Sequence, residues 1–219
     1  MAEKNKNGRV ERMEEQGCFF RSFNKFEVRE GGEGGEGALY VEGLAAPTNI
    51  VITLFTWDGV DYKEQIDARA FDGADMSDVI FNYNHEGKVV ARTRNKTLGL
   101  TIGTDGLHMR ARLDGTDEGK RLYEEIKGGY IDRMSYAFSV SETSYNIDTH
   151  TRTIMKVKKV YDVSAVDFPA YDTTSISARN AFAAEIAEEE KAAAAAKLRR
   201  DVLQSEVNQT IKKHGGNNN

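Results

Sequence analysis

Two side chains in this sequence have the chemistry of a nucleophile and its base. Ser135 lies in Gly129–Val140, where apolar and polar residues alternate as they do in a strand. His85 lies in a polar loop that runs from Asn84 to Gly87. A serine hydroxyl becomes a nucleophile when an imidazole takes its proton. The pair therefore predicts acyl-transfer chemistry.

The histidine needs a partner on its second ring nitrogen, and the residues leave that partner open. Spacing alone does not choose among the acidic residues and the other histidines. The candidates are Asp162, Asp167, Glu142, His108 and His150. The sequence lacks a Gly-x-Ser-x-Gly elbow, so the α/β-hydrolase form of this chemistry is not predicted.

Metal and cofactor chemistry are not predicted. The four histidines and the single cysteine, Cys18, are too scattered to suggest a zinc site. The glycine-rich tract Arg29–Gly37 carries glutamates that repel phosphate, and no lysine follows at the spacing of a phosphate-binding loop. This tract predicts a flexible loop. We therefore expect no cofactor and no metal.

Composition indicates a soluble protein with one sizeable core. The chain has 219 residues, of which 39% are hydrophobic and 30% charged. A net charge of -5 argues against nucleic acid as a partner, because a phosphate backbone attracts a clustered positive surface. No apolar run is long enough for a signal peptide or a membrane span. Cys18 has no partner for an internal disulfide, and we expect it to be buried.

The elements that must position the two side chains are mostly strands. The pattern predicts about eight strands and two or three short helices without regular strand–helix alternation, which favours a mainly β, largely antiparallel barrel, closed or partly closed, with helices around it. A helix capped by Thr116 and stopped by Gly128 is predicted just before the serine strand. Another, capped by Asp75 or Ser77, would end just before His85.

The predicted serine strand has two different faces. Met134, Tyr136, Phe138 and Val140 form an apolar face suited to the core, and Ser135 shares the opposite, outward face with Arg133.

Five ordered blocks of this sequence resemble the prohead protease family of tailed bacteriophages, which is related in fold to the herpesvirus assemblins. The resemblance covers roughly Tyr40 to Ala178. The blocks are Ile66–Phe71, Asn84–Glu86, Asp105–Leu107, Gly129–Phe138 and Tyr161–Ala170. At Arg69-Ala70-Phe71 the family usually has Gly-Ala-Phe.

The resemblance implies a capsid-maturation serine protease with His85 as base, Ser135 as nucleophile and Asp162 as the third member. The assemblins use a second histidine in place of the acid. Arg133 becomes a candidate for oxyanion support, against the simpler interpretation of an ordinary strand-face arginine. No cofactor is implied.

The implied substrates are the scaffold or the scaffolding domain of the major capsid protein, together with the chain's own termini. The protease would act in the host cytoplasm, inside the phage procapsid. A noncatalytic procapsid scaffold or capsid-binding protein with the same fold is the alternative.

The predicted organisation has three parts: a polar lead at 1–17, the protease domain at 18–179, and an alanine-, glutamate- and lysine-rich tail at 180–219 with a disordered end. The tail predicts a long helix that serves as an oligomer contact, a tether or a removable segment. Homo-oligomerisation is therefore among the expected partnerships, whereas a membrane and nucleic acid are not.

Overall fold

The computed structural model describes residues 19–23, 26–31, 37–57, 59–167, 182, 187, 191–192 and 194–209. The chain divides into two compact units, Met1–Ala178 and Arg179–Asn219. Several predictions lie outside the described residues: the polar lead at 1–17, the burial of Cys18, the loop at 32–36 and the disorder at the end of the tail.

The described part of the first unit consists of eleven strands and one helix. The strands are β1 (Phe19–Phe23), β2 (Glu27–Glu30), β3 (Leu39–Pro47), β4 (Ile52–Trp57), β5 (Val60–Ile66), β6 (Ile80–Tyr83), β7 (Glu86–Arg92), β8 (Leu98–Ile102), β9 (Gly106–Arg112), β10 (Arg133–Asn146) and β11 (Thr151–Val166), and the helix is α1 (Asp117–Lys127). In the second unit, residues 194–209 are helical and exposed, as the composition of the tail predicts.

The strands form two sheets instead of the predicted closed or partly closed barrel. One sheet has the order β1-β10-β11-β5-β4, with β6 beside β11 and β7 beside β6, and the other has the order β2-β3-β9-β8. Buried apolar residues from both sheets make one core cluster. The prediction of a mainly β fold is confirmed, but the barrel is not, because the four-stranded sheet ends in the separate edges β2 and β8 among the described strands.

Strand β11 is the centre of the larger sheet. It pairs with β10 in antiparallel fashion along its length, with β5 in parallel near its start, and with β6 in parallel at Asp162–Ala165. Both β10 and β11 are long, because β10 runs from Arg133 to Asn146 and β11 from Thr151 to Val166. Residues 162–166 of β11 are all buried, so neither face of this end of the strand meets water.

The helix predicted before His85 is absent from the described residues, and β6 occupies this segment. Asp75 Oδ1 accepts hydrogen bonds from the backbone N–H and hydroxyl of Ser77, which makes a local turn instead of a helix cap. Phe81 is fully buried and pairs in parallel with Val163 on β11, so the sheet provides hydrogen-bond partners for the backbone of this buried segment.

Helix α1 agrees with its prediction. Thr116 Oγ1 accepts a hydrogen bond from the N–H of Gly119 at 2.9 Å, and Gly128 ends the helix. Leu122, Tyr123 and Ile126 are buried on one face. Helix α1 ends at Lys127, and β10 begins shortly afterwards at Arg133.

Candidate active site

The structure brings Ser135, His85 and Asp162 together in a line of short hydrogen bonds. The distance from Ser135 Oγ to His85 Nε2 is 2.7 Å, and that from His85 Nδ1 to Asp162 Oδ1 is also 2.7 Å. Ser135 and Asp162 are 0% exposed and His85 is 7% exposed. The outward face predicted for Ser135 is wrong, because both faces of β10 are buried from Met134 to Ser139.

The line is held by adjacent elements of one sheet. Ser135 lies on β10 and Asp162 on β11, while His85 lies in the turn between β6 and β7. Since β11 lies between β10 and β6, the strand that carries Asp162 aligns the strand of Ser135 with the strand that leads into His85.

The turn that presents His85 has an unusual backbone. Asn84 and His85 both have positive φ, 49° and 58°, as a two-residue hairpin between paired Tyr83 and Glu86 requires. Asn and His tolerate this region better than most residues. The N–H of Asn84 donates to the carbonyl of Ala165 at 2.8 Å, which ties the turn to β11. The backbone of this turn therefore fixes the position of the His85 imidazole.

Buried polar side chains form a row across β10, β11 and β6, next to the imidazole of His85. Ser164 is the register partner of Ser135 on β10 and of Asn82 on β6, so the three side chains share one face of the sheet. Sequence analysis did not identify Asn82 or Ser164. The available signal was the i, i+2 spacing of Asp162 and Ser164, which places them on one face of a strand.

The hydroxyl of Ser164 links this row to the candidate triad. It donates to Asn82 Oδ1 and lies 3.1 Å from His85 Nδ1 and 3.4 Å from Asp162 Oδ1. Because the proton of the Ser164 hydroxyl points to Asn82, the lone pairs of this hydroxyl face the Nδ1–H of the His85 imidazole. Asp162 Oδ1 faces the same Nδ1–H. Two acceptors at Nδ1 favour the tautomer whose Nε2 carries a lone pair toward Ser135.

Residues 25–190 match the family model described as caudovirus prohead serine protease. The chain belongs to this family. The match covers most of the first unit, including the segments that carry Ser135, His85 and Asp162. Membership confirms the resemblance found in the sequence and agrees with the serine chemistry that the geometry suggests.

One solved structure similar to this prohead protease family member is the bacteriophage T4 capsid assembly protease, gp21. The identity is 15% and the TM-score 0.45, over 69% of this chain and 98% of that one. No curated protein is significantly similar to the chain. None of the helices in the described residues is long and apolar enough to cross a membrane.

The other candidates for the third member have different partners. Asp167 accepts a hydrogen bond from the Tyr83 hydroxyl at 3.0 Å, and Glu142 pairs with Lys156 at 2.6 Å. His108 lies 2.7 Å from Asp105, and His150 lies 3.2 Å from the Tyr145 hydroxyl. Of the five candidates, the structure brings Asp162 to His85.

Arg133 lies at the exposed start of β10. Its side chain is 46% exposed and its Nε is 3.4 Å from Asp132 Oδ1. Oxyanion support by Arg133 stays a prediction. Among the described residues, no group of three or more His, Cys, Asp or Glu side chains has the arrangement of a metal site.

Proposed function

We propose that this chain is a serine endopeptidase in which Ser135, His85 and Asp162 form the catalytic triad. The observation that carries the proposal is the continuous Ser135–His85–Asp162 line, with both hydrogen bonds at 2.7 Å, in a member of the prohead serine protease family. The 2.7 Å between Ser135 Oγ and His85 Nε2 is a distance over which an imidazole exchanges a proton with a hydroxyl.

In the first chemical step, Ser135 Oγ attacks the carbonyl carbon of a peptide bond as its proton passes to His85 Nε2. The tetrahedral intermediate collapses, the C–N bond breaks, and the same proton passes to the leaving amine. A water molecule then repeats the sequence on the acyl-enzyme. The products are a new carboxyl and a new amino terminus, and Ser135 is regenerated.

Asp162 stabilises the imidazolium that forms during proton transfer. Its carboxylate is completely buried, and its Oδ2 has no hydrogen-bond partner among the described residues. A carboxylate removed from water interacts more strongly with a positive charge than an exposed one does. The interaction therefore grows as His85 becomes charged, which is the differential stabilisation that catalysis requires.

Ser164 acts as a positioning residue, because its lone pairs give the Nδ1–H of His85 a second acceptor. Asn82 orients Ser164 by accepting a hydrogen bond from its hydroxyl. The buried position of Ser135 means that a substrate carbonyl reaches Oγ only after a local rearrangement of the site. Arg133, at the exposed end of the same strand, is the candidate that would support the oxyanion after this rearrangement.

The substrate class follows from the family. We infer that the enzyme cleaves scaffold protein, or the scaffolding domain of the major capsid protein, inside the phage procapsid in the host cytoplasm. The boundary between a protease domain at 18–179 and a tail at 180–219 gives a natural site of self-cleavage. The tail would then be a packaging, oligomer-forming or removable segment.

The proposal is tested with a fluorophosphonate probe, which reacts with activated serines without requiring knowledge of the natural substrate. We expect wild-type protein to be labelled at Ser135. Ser135→Ala should lose the label, and His85→Ala should lower the labelling rate by at least about a thousandfold. Ser139→Ala, a buried serine elsewhere on β10, is the matched control and should be labelled at the wild-type rate.

The same variants are then coexpressed with the capsid protein precursor of the phage that encodes the chain. We expect the wild type and Ser139→Ala, but neither of the other two, to trim the precursor. Unchanged labelling and trimming in Ser135→Ala would refute the triad. Incorporation into procapsids without any labelling or trimming by the wild type would favour the noncatalytic scaffold.

A further inference from the structure

Strand β10, which carries Ser135, has a neighbouring strand on each side. Strand β11 pairs with it on one side, and the short strand β1 pairs with it on the other. β1 is antiparallel to β10 and spans Met134–Phe138, with Ser22 opposite Ser135. Backbone pairing therefore covers both edges of β10 at the position of the proposed nucleophile.

A peptide cannot reach the Ser135 hydroxyl in this arrangement, because the residue is completely buried. A groove of about 990 Å³ opens beside the turn that carries His85, and its described lining includes Asn84 and Glu86 but not Ser135. The groove thus reaches the backbone next to the proposed base and stops short of the nucleophile. Access to Ser135 requires the movement of an element beside β10.

The two neighbours of β10 differ in what their movement would disrupt. Strand β11 carries Asp162 and also pairs with β5 and β6, so its displacement would separate the proposed triad. Strand β1 has five residues, pairs with β10 alone among the described strands, and contributes no residue to the triad. A short edge strand loses few backbone hydrogen bonds when it leaves a sheet. β1 is therefore the neighbour that can move while the triad stays assembled.

A buried ion pair anchors β1 to the sheet. Arg21 donates to Glu64 on β5 at 2.6 and 2.9 Å, and the two side chains are 3% and 2% exposed. Because both ions lose hydration on burial, such a pair adds less net stability than its short distances suggest. Release of β1 returns Arg21 to water and opens the pocket around Glu64, in which Ile50 is already exposed. The anchor thus orients β1 and still permits its release.

The edge of β10 beneath β1 suits an extended peptide. Peptides add to the edge of a sheet through backbone hydrogen bonds, and a protease must hold its substrate beside the nucleophile. A peptide in the place of β1 would lie one strand spacing, about 4.8 Å, from the backbone of Ser135. Its carbonyl groups would therefore be close to the Ser135 hydroxyl.

We propose that the edge of β10 from Met134 to Phe138 is the substrate-binding edge of the protease, and that β1 occupies this edge as an internal substitute for the substrate until it is released. The inference rests on the proposed function and adds a binding site and an autoinhibitory strand. In the closed state the triad is assembled but covered. Release of β1 lets an extended polypeptide pair with β10 in its place.

The test locks β1 to β10 by a disulfide in the full-length chain. Phe23 is opposite Met134, which lies on the face of β10 away from Ser135, and cross-strand partners are close enough for a disulfide. The β1 lock, Phe23→Cys with Met134→Cys, is made in a Cys18→Ala background, so that the two new thiols are the only ones in the chain. Fluorophosphonate labelling of Ser135 is measured before and after reduction.

The matched control is Ser144→Cys with Thr153→Cys in the same background, because this pair links β10 to β11 at the other end of β10 and leaves β1 free. We expect oxidation of the β1 lock to lower its labelling rate at least about tenfold, as the open population falls, and reduction to restore the rate. The control should be labelled at the same rate in both forms.

Weakening the anchor should have the opposite effect. Glu64→Gln keeps the shape of the side chain and removes its charge, so Arg21 loses a charge-assisted hydrogen bond and β1 opens more often. We expect Ser135 to be labelled about fivefold faster than in the wild type. A purely structural role of the ion pair would leave the labelling rate unchanged or lower it.

Hydrogen exchange measures the opening of β1 without relying on activity. In the wild type, the amides of Phe19–Phe23 should exchange at least about tenfold faster than those of residues 162–166 on β11. Equal exchange of the two segments, or equal labelling of the oxidised and reduced β1 lock, would overturn the inference and leave the proposed triad intact. Absence of labelling in every variant and state would count against the proposed function, and the exchange rates would still decide whether β1 opens alone.

Discussion

The hydroxyl of Ser164 offers the sharpest test of how the imidazole is held. Ser164→Ala removes the acceptor 3.1 Å from His85 Nδ1 and leaves Asn82 Oδ1 without that donor in a fully buried site. Loss of a neutral hydrogen bond costs about 0.5–1.5 kcal/mol. If this cost falls on the orientation of the base, the rate of labelling by a fluorophosphonate should fall about 2- to 13-fold.

Ser164→Ala should also lower the stability of the fold, because it removes a hydrogen-bond donor from the buried side chain of Asn82. A buried polar group left unpaired costs about 1–3 kcal/mol, which should appear as a lower free energy of unfolding in urea. Ser164→Thr keeps the hydroxyl and should recover most of the labelling rate. Ser139→Ala, which removes the buried hydroxyl 3.4 Å from that of Tyr161, should change stability without changing labelling.

The pH dependence of labelling separates a role in positioning from a role in folding. The lone pairs of Ser164 also stabilise the charged imidazolium, so in Ser164→Ala the acid limb of the rate profile should move to lower pH. A labelling rate within about 1.5-fold of the wild type at every pH, with only the stability lowered, would refute the positioning role.

Two further predictions concern stability. Arg21→Met leaves Glu64 buried without the guanidinium that binds it at 2.6 and 2.9 Å, so the free energy of unfolding in urea should fall by about 3–5 kcal/mol. The double variant Arg21→Met with Glu64→Leu should recover most of this loss of stability. An unfolding free energy of Arg21→Met within about 1 kcal/mol of the wild-type value would contradict the prediction. The hydrogen bond from Arg112 lowers the pKa of Asp114 to about 2, so Asp114 stabilises the fold above its unfolded pKa of about 3.9 and this contribution is lost as the pH falls toward 2. The difference in unfolding free energy between the wild type and Asp114→Asn should therefore narrow between pH 5 and pH 2; a constant difference would contradict the prediction.

Features set by local chemistry could be predicted from the sequence. Helix α1 has its start and end encoded by Thr116 and Gly128, each of which acts through neighbouring backbone groups. Ser135 and His85 were recognised because few residue types supply a nucleophile and a base. Their catalytic roles remain predictions, although the structure places them in hydrogen-bond contact.

Features set by pairing between distant strands could not be predicted in this way. The spacing of Val79, Ile80 and Tyr83 fits one turn of helix, yet the parallel pairing of this segment with β11 makes it a strand. The same pairing brings Asp162 to His85, which is why residue spacing left five candidates and only the family resemblance favoured Asp162. The row from Asn82 through Ser164 to Ser135 likewise exists only once three strands are in register.

The central place of β11 also determines when the proposed triad can assemble during synthesis of the chain. Ser135 and His85 are translated before Asp162, but their strands do not pair with each other, and both depend on β11 for their alignment. Until the ribosome has released this strand, the growing polypeptide carries a hydroxyl and an imidazole without the scaffold that joins them. The proposed triad therefore assembles only after β11 has been translated and has paired with β10 and β6.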